Sequence, residues 1–296
     1  MDRPTVEADE DLVDADVRRD LGGTGASTCL PHVAGEHVPL VLADLHRASP
    51  PGARLDLVVV EGEGEGEGVG VGVGVGEGRS GPGTDLPGRL VWHGSRERLL
   101  DVAAGAGFTD LRLQGPPGHP DDGLHLTATR GTTLPDTVGP GMRVLVCGLN
   151  PSILSADVGI GFARPGNRFW PAAIAAGLAR RPLDPLDALR HHGLGMTNLV
   201  ARASVGAAEL ADDEYVAGSA RVERLCRWLR PGAICFVGLA GYRAAVDRRA
   251  RAGVQDVRFG DVPTYLMPST SGLNAHTKPA GFAAHLDAAV ALAEGD

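Results

Sequence analysis

The chain has 296 residues, of which 43% are hydrophobic, 37 are acidic and 28 are basic, for a formal net charge of −9. This composition predicts one or two soluble globular domains, and no apolar run approaches the roughly 18 residues that a membrane span needs. The first thirty residues are acidic rather than basic and then apolar, so we expect no secretory signal and a cytoplasmic location.

The four cysteines, at positions 29, 147, 226 and 235, form no Cys-x-x-Cys pair and have no histidine partner at zinc-finger spacing. This pattern disfavours a disulfide framework, an iron–sulfur cluster and a structural zinc site. The two halves of the chain differ in charge: residues 1–140 carry 11 basic and 23 acidic side chains, whereas residues 141–296 carry 17 and 14. We therefore expect a polyanion to meet the second half.

The first 131 residues alternate low-complexity segments with foldable ones. Residues 1–27 are charged and lack an apolar period, which predicts a disordered acidic tail. Residues 61–88 begin with EGEGEGEGVGVGVGVGEG, and glycine at every second position predicts a flexible loop. The remaining segments predict, in order, a helix at Leu40 to His46, a strand at Leu55 to Val60, an apolar stretch at Arg89 to Trp92, a helix at Leu99 to Ala103, and strands at Thr109 to Leu113 and Leu124 to Thr129.

This order of elements, with the phrases HRASPPGARLDLVVV and LLDVAAGAGFTDLRL, resembles the C-terminal half of a class I methyltransferase. The resemblance implies a partial Rossmann-like remnant over residues 28–131. The glycine-rich turn between strand and helix that would hold the cofactor is missing, and GGTGAS at 22–27 follows no predicted strand. A remnant or docking module is thus favoured over a working methyltransferase.

Residues 132–142, with two prolines and two glycines, are interpreted as a linker to a second domain at 143–296. There, MRVLVCGL predicts a strand, and strands then alternate with helices, which indicates a parallel sheet covered on both faces. The later strands are expected at Leu194 to Leu199, Ala233 to Leu239 and Thr264 to Met267, and the helices at Arg168 to Arg180, Leu186 to His191, Asp212 to Arg230, Tyr242 to Ala252 and Phe282 to Ala293. Deleting residues 1–139 is expected to leave the second domain active.

Ligands of such sheets bind at the loops beyond the carboxyl ends of the strands. Two loops there are unusual: GLNPSILSADVGIGFARPGNRFW at 148–170 and MPSTSGLNAHT at 267–277. From the residues alone, Asn150-Pro151 is a turn after a buried strand or an amide placed to orient a ligand.

The two loops, together with TNLVARAS at 197–204, resemble the signature blocks of the mismatch-specific uracil-DNA glycosylase and thymine-DNA glycosylase family. The resemblance covers about residues 143–293. It implies a three-layer α/β sandwich with a short parallel sheet, and hydrolysis of the N-glycosidic bond of uracil, or another deaminated base, opposite guanine. Such an enzyme must swing the nucleotide out of the duplex into a pocket.

By this resemblance Asn150 is the catalytic residue, whose carboxamide orients a water at the sugar carbon while backbone N–H groups stabilise the departing base. Phe162 would stack on the everted base, and Ser155 would face the C5 side of a pyrimidine, which favours uracil over thymine. The base pocket is expected to comprise Gly148, Leu149, Pro151, Ser155 and Phe162, with Asn167 and Arg168 bracing the loop or capping the next helix.

The second loop is expected to bind DNA. Its hydroxyls and N–H groups suit a backbone phosphate, Leu273 resembles a wedge that fills the vacated stack, and Asn274 would read the widowed guanine. The DNA-binding residues are therefore expected to be Ser269, Thr270, Ser271, Gly272, Leu273 and Asn274.

Three features depart from the family pattern. Ser152 replaces the usual glycine after Asn-Pro, and Asn198 stands where some relatives carry lysine. In the second loop Ser269-Thr270 replaces the family's Asn-Pro, which is closer to the thymine-glycosylase branch. Asp157 is the only carboxylate of the first loop and is either a rival general base or an exposed turn residue.

The resemblance implies a monomer that needs no metal or other cofactor and acts in base excision repair on the nucleoid. Its partners would be double-stranded DNA with G·U or G·T pairs and the enzymes that process abasic sites. A noncatalytic damage-binding module and a methyltransferase remain the alternative functions.

Overall fold

The computed structural model describes residues 35–61, 90–92, 94–115, 124–274 and 277–295. They form two sheets, one of four strands and one of five, each with its own helices. No helix of this part of the chain is long and apolar enough to cross a membrane. The predicted tail at 1–27, with its GGTGAS motif, and nearly all of the glycine-rich segment at 61–88 lie outside the described residues.

The first unit contains two helices and four strands, in agreement with the pattern read from the sequence. They are α1 (Val38–Ala48), β1 (Arg54–Glu61), β2 (Leu90–Trp92), α2 (Arg96–Gly105), β3 (Phe108–Gln114) and β4 (Leu124–Arg130). The strand order is β2-β1-β4-β3, and the last strand pairs antiparallel with both β1 and β3.

Among the side chains that the structure describes, those of the apolar core lie on one face of this sheet. Leu55, Leu57 and Leu126 are buried in a cluster with the apolar residues of α1 and α2. On the opposite face Arg112 of β3 is paired with Thr127 of β4, which is polar and half-buried. Because antiparallel sheets tolerate water on one face, this unit needs no second layer of helices. Its resemblance to half of a methyltransferase stays a prediction.

The second unit carries the five-stranded sheet, in the order β6-β5-β7-β9-β8. Its elements are β5 (Val144–Gly148), α3 (Ile153–Val158), α4 (Phe169–Ala175), α5 (Pro185–His192), β6 (Leu194–Asn198), α6 (Asp212–Leu229), β7 (Ala233–Val237), α7 (Leu239–Ala245), β8 (Gly253–Phe259), β9 (Val262–Met267) and α8 (Pro279–Glu294). All pairings except β8 with β9 are parallel.

Alternate residues of the central strands enter two separate cores, one on each face of the sheet. Leu145 and Cys147 pack with α6 and α7, whereas Val144 and Val146 pack with α4, α5 and α8. The α/β fold with a mostly parallel sheet between helical layers is therefore confirmed.

The structure corrects the sequence prediction between 246 and 259. The helix predicted at Tyr242 to Ala252 ends at Ala245, because the N–H groups of Val246 and Asp247 both turn back to the carbonyl of Tyr242. The edge strand β8 follows, and its mostly exposed, charged sequence carries too little apolar period to be predicted.

The predicted linker at 132–142 is an ordered, largely buried segment. The backbones of Thr137 and Met196 exchange two hydrogen bonds of 2.8 Å, so this segment pairs antiparallel with the outer edge of β6. The Asp136 carboxylate is buried and accepts hydrogen bonds from Arg221 and Thr197, both at 2.7 Å. Residues before 140 thus complete the second unit, contrary to the expectation that 1–139 is a removable appendage.

Candidate active site

The two motif loops lie against each other at the carboxyl edge of the five-stranded sheet. A Cβ on Gly272 would lie 3.3 Å from the carbonyl oxygen of Gly166, so glycine permits the loops to touch. Arg168 of the first loop donates hydrogen bonds of 2.6 Å to the carbonyls of Ser271 and Asn274 in the second. The loops therefore form one rim around a shared site.

Asn167 and Arg168 both contact the elements that flank the first loop. Asn167 Oδ1 accepts a hydrogen bond of 2.9 Å from the N–H of Phe169 at the start of α4. The guanidinium of Arg168 lies 4.7 Å from the ring centre of Phe282 in α8, a cation–π contact that holds its fork in place.

Asn150 lies two residues after the end of β5 and is partly exposed. Its amide Nδ2 lies 2.8 Å from Ser204 Oγ, 3.2 Å from the carbonyl oxygen of Pro151 and 3.5 Å from that of Arg202. Carbonyl oxygens only accept hydrogen bonds, and the Ser204 hydroxyl donates its own proton to the carbonyl of Gly206 at 2.9 Å. The amide nitrogen must therefore face these three oxygens, which leaves Oδ1 on the opposite side.

No described residue donates a hydrogen bond to Asn150 Oδ1, and no carboxylate or histidine is among the hydrogen-bond partners of this side chain in the described chain. An amide held in this way can accept a hydrogen bond from a water molecule without itself taking up a proton.

An ion pair anchors the segment that holds the amide. Arg202 donates two hydrogen bonds, of 2.6 and 2.8 Å, to the carboxylate of Glu214 in the first turn of α6. These bonds, with a further one from the N–H of Ala211, lower the pKa of Glu214 to about 2. Glu214 is therefore ionised at neutral pH, and the carbonyl of Arg202 and the hydroxyl of Ser204 are held in position.

Gly148, Asn198 and Phe162 lie together at the end of β5. A Cβ on Gly148 would lie 2.5 Å from Asn198 Oδ1 and 3.5 Å from Phe162 Cζ. Only glycine leaves room for the Asn198 amide to cross the end of β5 beside the aromatic ring. Asn198, which the sequence indicated only as a departure from the family pattern, thus lies beside Phe162, one of the expected base-pocket residues.

Phe162 is held in a left-handed conformation, with φ +57°. Its ring stacks on Phe169, with centroids 4.1 Å apart and 20° between the planes. The preceding carbonyl, of Gly161, accepts a hydrogen bond of 3.0 Å from Trp170 Nε1. Phe169 and Trp170 are buried and act through packing, and together they hold Phe162 as a half-buried aromatic surface.

The remaining first-loop residues contribute in different ways. Ser152 is the N-cap of α3 and its hydroxyl accepts a hydrogen bond of 3.2 Å from the N–H of Ser155, which explains a serine where relatives have glycine. Ser155 is 2% exposed, and its hydroxyl accepts from that of Ser152. The side chain of Leu149 packs against Gly241 of α7, so only its backbone is available to the pocket. Pro151 is buried and offers its carbonyl to Asn150.

The second loop presents fewer polar groups than the sequence suggested. Thr270 is 1% exposed, and its hydroxyl is buried without a partner among the described residues, so it is not available to a surface phosphate. The Asn274 amide donates to the carbonyl of Ser269 at 2.8 Å and to the Thr277 hydroxyl at 3.2 Å, which closes the loop instead of extending from it. Ser269 and Ser271 remain near the surface, where their hydroxyls accept N–H groups of the loop.

Leu273 is 87% exposed, the highest value among the large apolar residues of the described chain. Gly272 beside it is also exposed. An apolar side chain projecting from a braced loop has the form expected of a wedge. Asp157, by contrast, is an exposed residue of α3, as a solvated turn carboxylate would be.

Sequence reasoning missed Ser204, Arg202 and Glu214. TNLVARAS resembles one of the family's signature blocks, but the sequence does not show that its residues contact Asn150, because they lie some fifty positions away in the chain. The available signal was topological: β6 is the direct neighbour of β5, so the loops after both strands meet at the same edge.

A comparison with protein families adds to this geometry. The family model described as the uracil DNA glycosylase superfamily matches residues 135–291, more than half of the chain. The chain belongs to the uracil DNA glycosylase superfamily. The match begins inside the segment first interpreted as a linker, at the residue before Asp136, in accordance with the burial of that segment.

Membership in the uracil DNA glycosylase superfamily identifies the chain as a DNA glycosylase, a hydrolase of base excision repair that acts on DNA. The superfamily match includes Asn150, Phe162, Ser204 and the second loop. In the described part of the chain, no group of three or more His, Cys, Asp or Glu side chains is arranged to hold a metal ion.

Proposed function

We propose that this glycosylase hydrolyses the N-glycosidic bond of uracil mispaired with guanine in double-stranded DNA, with Asn150 as the catalytic residue. The observation that carries the proposal is the orientation of the Asn150 amide, whose nitrogen is saturated by three oxygens and whose Oδ1 is left for a water. The specificity for a G·U pair rests on the resemblance of the two loops to the mismatch-specific family.

The reaction begins with eversion of the nucleotide, which is easier for a mispair than for a Watson–Crick pair. The base stacks on Phe162, whose other side is supported by Phe169. Leu273, exposed on its braced loop, enters the vacated stack and delays the return of the nucleotide. The backbone of Ser269 to Gly272 lies where a phosphate of the same strand passes.

In the chemical step the bond between C1′ and the base nitrogen breaks, and its electron pair leaves with the base. The water held by Asn150 Oδ1 forms the new bond to C1′, and the proton that it loses is taken up by the departing base anion, so the products are an abasic sugar and the neutral free base. Backbone N–H groups of the first loop stabilise the negative charge on the departing base. The protein supplies position rather than a base.

We assign the discrimination between uracil and thymine to Asn198, Phe162 and Ser155. Asn198 lies across Gly148 beside Phe162, where its amide meets the edge of a base stacked on that ring. The buried Ser155, tied to the Ser152 hydroxyl, occupies space that a smaller residue would leave for the methyl group of thymine. We therefore place uracil ahead of thymine as the substrate.

A substrate panel tests this proposal: uracil, thymine and deaminated purines, each placed opposite each normal base in a duplex, are incubated with the full chain. Alkali then cleaves abasic strands, so excision is read as strand breakage. The proposal predicts fastest cleavage at G·U, slower cleavage at G·T and none at A·T. Binding to a G·U duplex without cleavage would instead indicate a damage-binding module, and preference for a deaminated purine would reassign the pocket.

In the cell we place the enzyme in the cytoplasm, on the nucleoid during repair, as a monomer that hands its abasic product to the enzymes that process such sites.

A further inference from the structure

The C-terminal end of α1, in the first unit, lies beside the active-site loop of the second unit. Arg47 Nε is 3.5 Å from the position that a Cβ on Gly159 would take. Gly159 is the C-cap of α3, the short helix between Asn150 and Phe162. A basic residue of the first unit is thus within contact distance of the loop that carries the proposed catalytic residue.

This position is fixed by buried bonds at the junction of the two units. His46 Nε2 lies 2.8 Å from Thr133 Oγ1, and the Thr133 hydroxyl donates to the carbonyl of Gly107 at 2.6 Å. The N–H of Asp136 donates to the carbonyl of Gly105 at 2.7 Å.

A second set of contacts lies farther along the interface, where Arg224 of α6 pairs with Asp101 of α2 at 2.5 and 2.8 Å. Trp92 also meets Trp228 edge to face, with centroids 6.1 Å apart. The first unit therefore cannot swing away from the active site without breaking buried contacts.

Two arginines lie close to His46 at the end of α1. Arg130 Nε donates to the carbonyl of His46 at 3.3 Å, and the charges of Arg130 and Arg47 both act on the His46 ring. Burial is the largest cause that lowers the pKa of His46 to about 4, and the charges of Arg130 and Arg47 lower it further. The acids at this place are Asp44, which pairs with Arg47 at 2.7 Å, and the exposed Asp157 of α3. Arg130 forms no ion pair with any described residue.

We propose that Arg47 and Arg130, here called the α1 corner, bind backbone phosphates of the duplex beside the everted nucleotide, so that the first unit extends the DNA-binding surface. The proposal rests on the DNA glycosylase activity and adds a contact that the catalytic unit lacks. Each strand carries a phosphate about every 3.4 Å along the helix axis, so a duplex seated with one nucleotide at Asn150 has phosphates on both sides of it. The arginine fork matches a phosphate, which would replace Asp44 as the partner of Arg47.

The arrangement predicts opposite effects of two substitutions. Arg47→Ala should weaken binding to an undamaged duplex several-fold and reduce the slope of log affinity against log salt by about 1, as expected for one lost phosphate contact. Asp44→Asn should strengthen binding, because it removes the carboxylate that competes with phosphate. The matched control is Arg181→Ala: Arg181 also pairs with an aspartate three positions away, Asp184, but it precedes α5 and lies outside the α1 corner.

The measurement is fluorescence anisotropy of a labelled duplex of about 30 base pairs, titrated with the full chain between about 50 and 200 mM salt, alongside thermal unfolding of each variant. Weaker binding for Arg47→Ala, stronger binding for Asp44→Asn and wild-type binding for Arg181→Ala support the proposal. Equal affinity and slope for wild type, Arg47→Ala and Asp44→Asn would overturn it and reduce the α1 corner to a helix cap. Excision of a G·U pair by the wild type in the same preparation tests the proposed function separately.

Discussion

The Asn150 amide carries the proposed chemistry, and a hydroxyl 54 residues away in the chain sets its orientation. Ser204 uses its proton on Gly206, so it can only accept from Asn150. Without this hydroxyl, only the longer contacts of 3.2 and 3.5 Å with two carbonyls oppose rotation of the amide about its last bond. That rotation would exchange the nitrogen and the oxygen and point a donor at the water. The position of one proton thus separates a productive amide from an unproductive one.

Ser204→Ala should therefore lower the single-turnover excision rate about tenfold, the effect of losing roughly 1.4 kcal/mol of transition-state stabilisation, and leave the affinity for DNA nearly unchanged. Ser204→Thr keeps the hydroxyl and is the matched control, with a rate near that of the wild type. Rapid-quench excision assays at saturating enzyme measure both. An alanine variant as fast as the threonine variant would show that the two carbonyls alone orient the amide.

The sequence predicts that Asn150, Phe162 and Leu273 belong to the site, because the resemblance to a family assigns a role to each residue that matches the family's motif. It did not predict that Thr270 is buried or that Asn274 closes its own loop. The sequence shows which hydroxyl and amide side chains a loop carries, but it does not show whether they face a ligand or the loop's own backbone. Only the three-dimensional path of the loop decides between the two.

Among the elements, the joint between the two loops depends on Arg168. Its guanidinium reaches the carbonyls of Ser271 and Asn274 at once and stacks on Phe282 of α8. The loop that carries Leu273 is in this way attached to the start of α4 rather than left as a free turn. A wedge needs such support, since a mobile side chain would yield instead of displacing a base.

Arg168→Lys should loosen the second loop, because an ammonium group cannot replace a planar fork that bonds two carbonyls and lies on a ring. We expect faster amide hydrogen exchange in residues 269–274, unchanged exchange in β5, and DNA binding about tenfold weaker. Exchange followed by mass spectrometry, with anisotropy for binding, checks both results. Unchanged exchange at 269–274 would mean that the loop holds its shape without the arginine.

Element prediction succeeded where apolar periodicity is strong and failed at the sheet edge. Fully buried strands such as β5 and β7 have continuous apolar sequences, and α6 has a clear helical stripe. The edge strand β8 has one buried residue, Phe259. It is held by hydrogen bonds to β9, and such pairing cannot be predicted from the sequence of β8.

For the whole molecule, the boundary between the units lies earlier than the sequence suggested. Asp136 belongs to the segment that pairs with β6, and its carboxylate is the buried partner of Arg221. Burial opposes the charge of Arg221, but the Asp136 carboxylate outweighs this effect and raises the pKa of the guanidinium. Proline and glycine content predicted a linker here, because composition cannot show that a segment adds to a sheet.

Two truncations test this boundary. Removing residues 1–139 deletes Asp136 and leaves Arg221 buried without its carboxylate, at a cost of about 3–5 kcal/mol, so this fragment should be poorly folded. Removing residues 1–130 keeps the ion pair and should give a more stable fragment. Thermal unfolding of the two fragments compares them directly. Equal stability would show that the buried pair and its strand contribute little.

His46 makes the docking of the first unit depend on pH. Its pKa is lowered to about 4 in the folded chain, against 6.5 for an exposed histidine. As the pH falls, the unfolded chain therefore takes up a proton on His46 at a higher pH than the folded chain does. The contribution of the neutral, docked His46 to stability is complete above pH 6.5 and is lost as the pH falls from 6.5 towards 4. The melting temperature of the wild type should fall more steeply between pH 7 and pH 5 than that of His46→Gln, which keeps a donor for Thr133 but does not titrate. Parallel curves for the two proteins would rule out this role for His46.

The most direct test of the account is Asn150→Ala, measured for excision and for binding on one duplex with a single G·U pair. If the amide positions the attacking water, excision at saturating enzyme falls by at least a thousandfold, or about 4 kcal/mol, while affinity for the duplex stays within a few-fold of the wild type. Near wild-type excision by this variant would show that Asn150 does not position the attacking water and that another group delivers it.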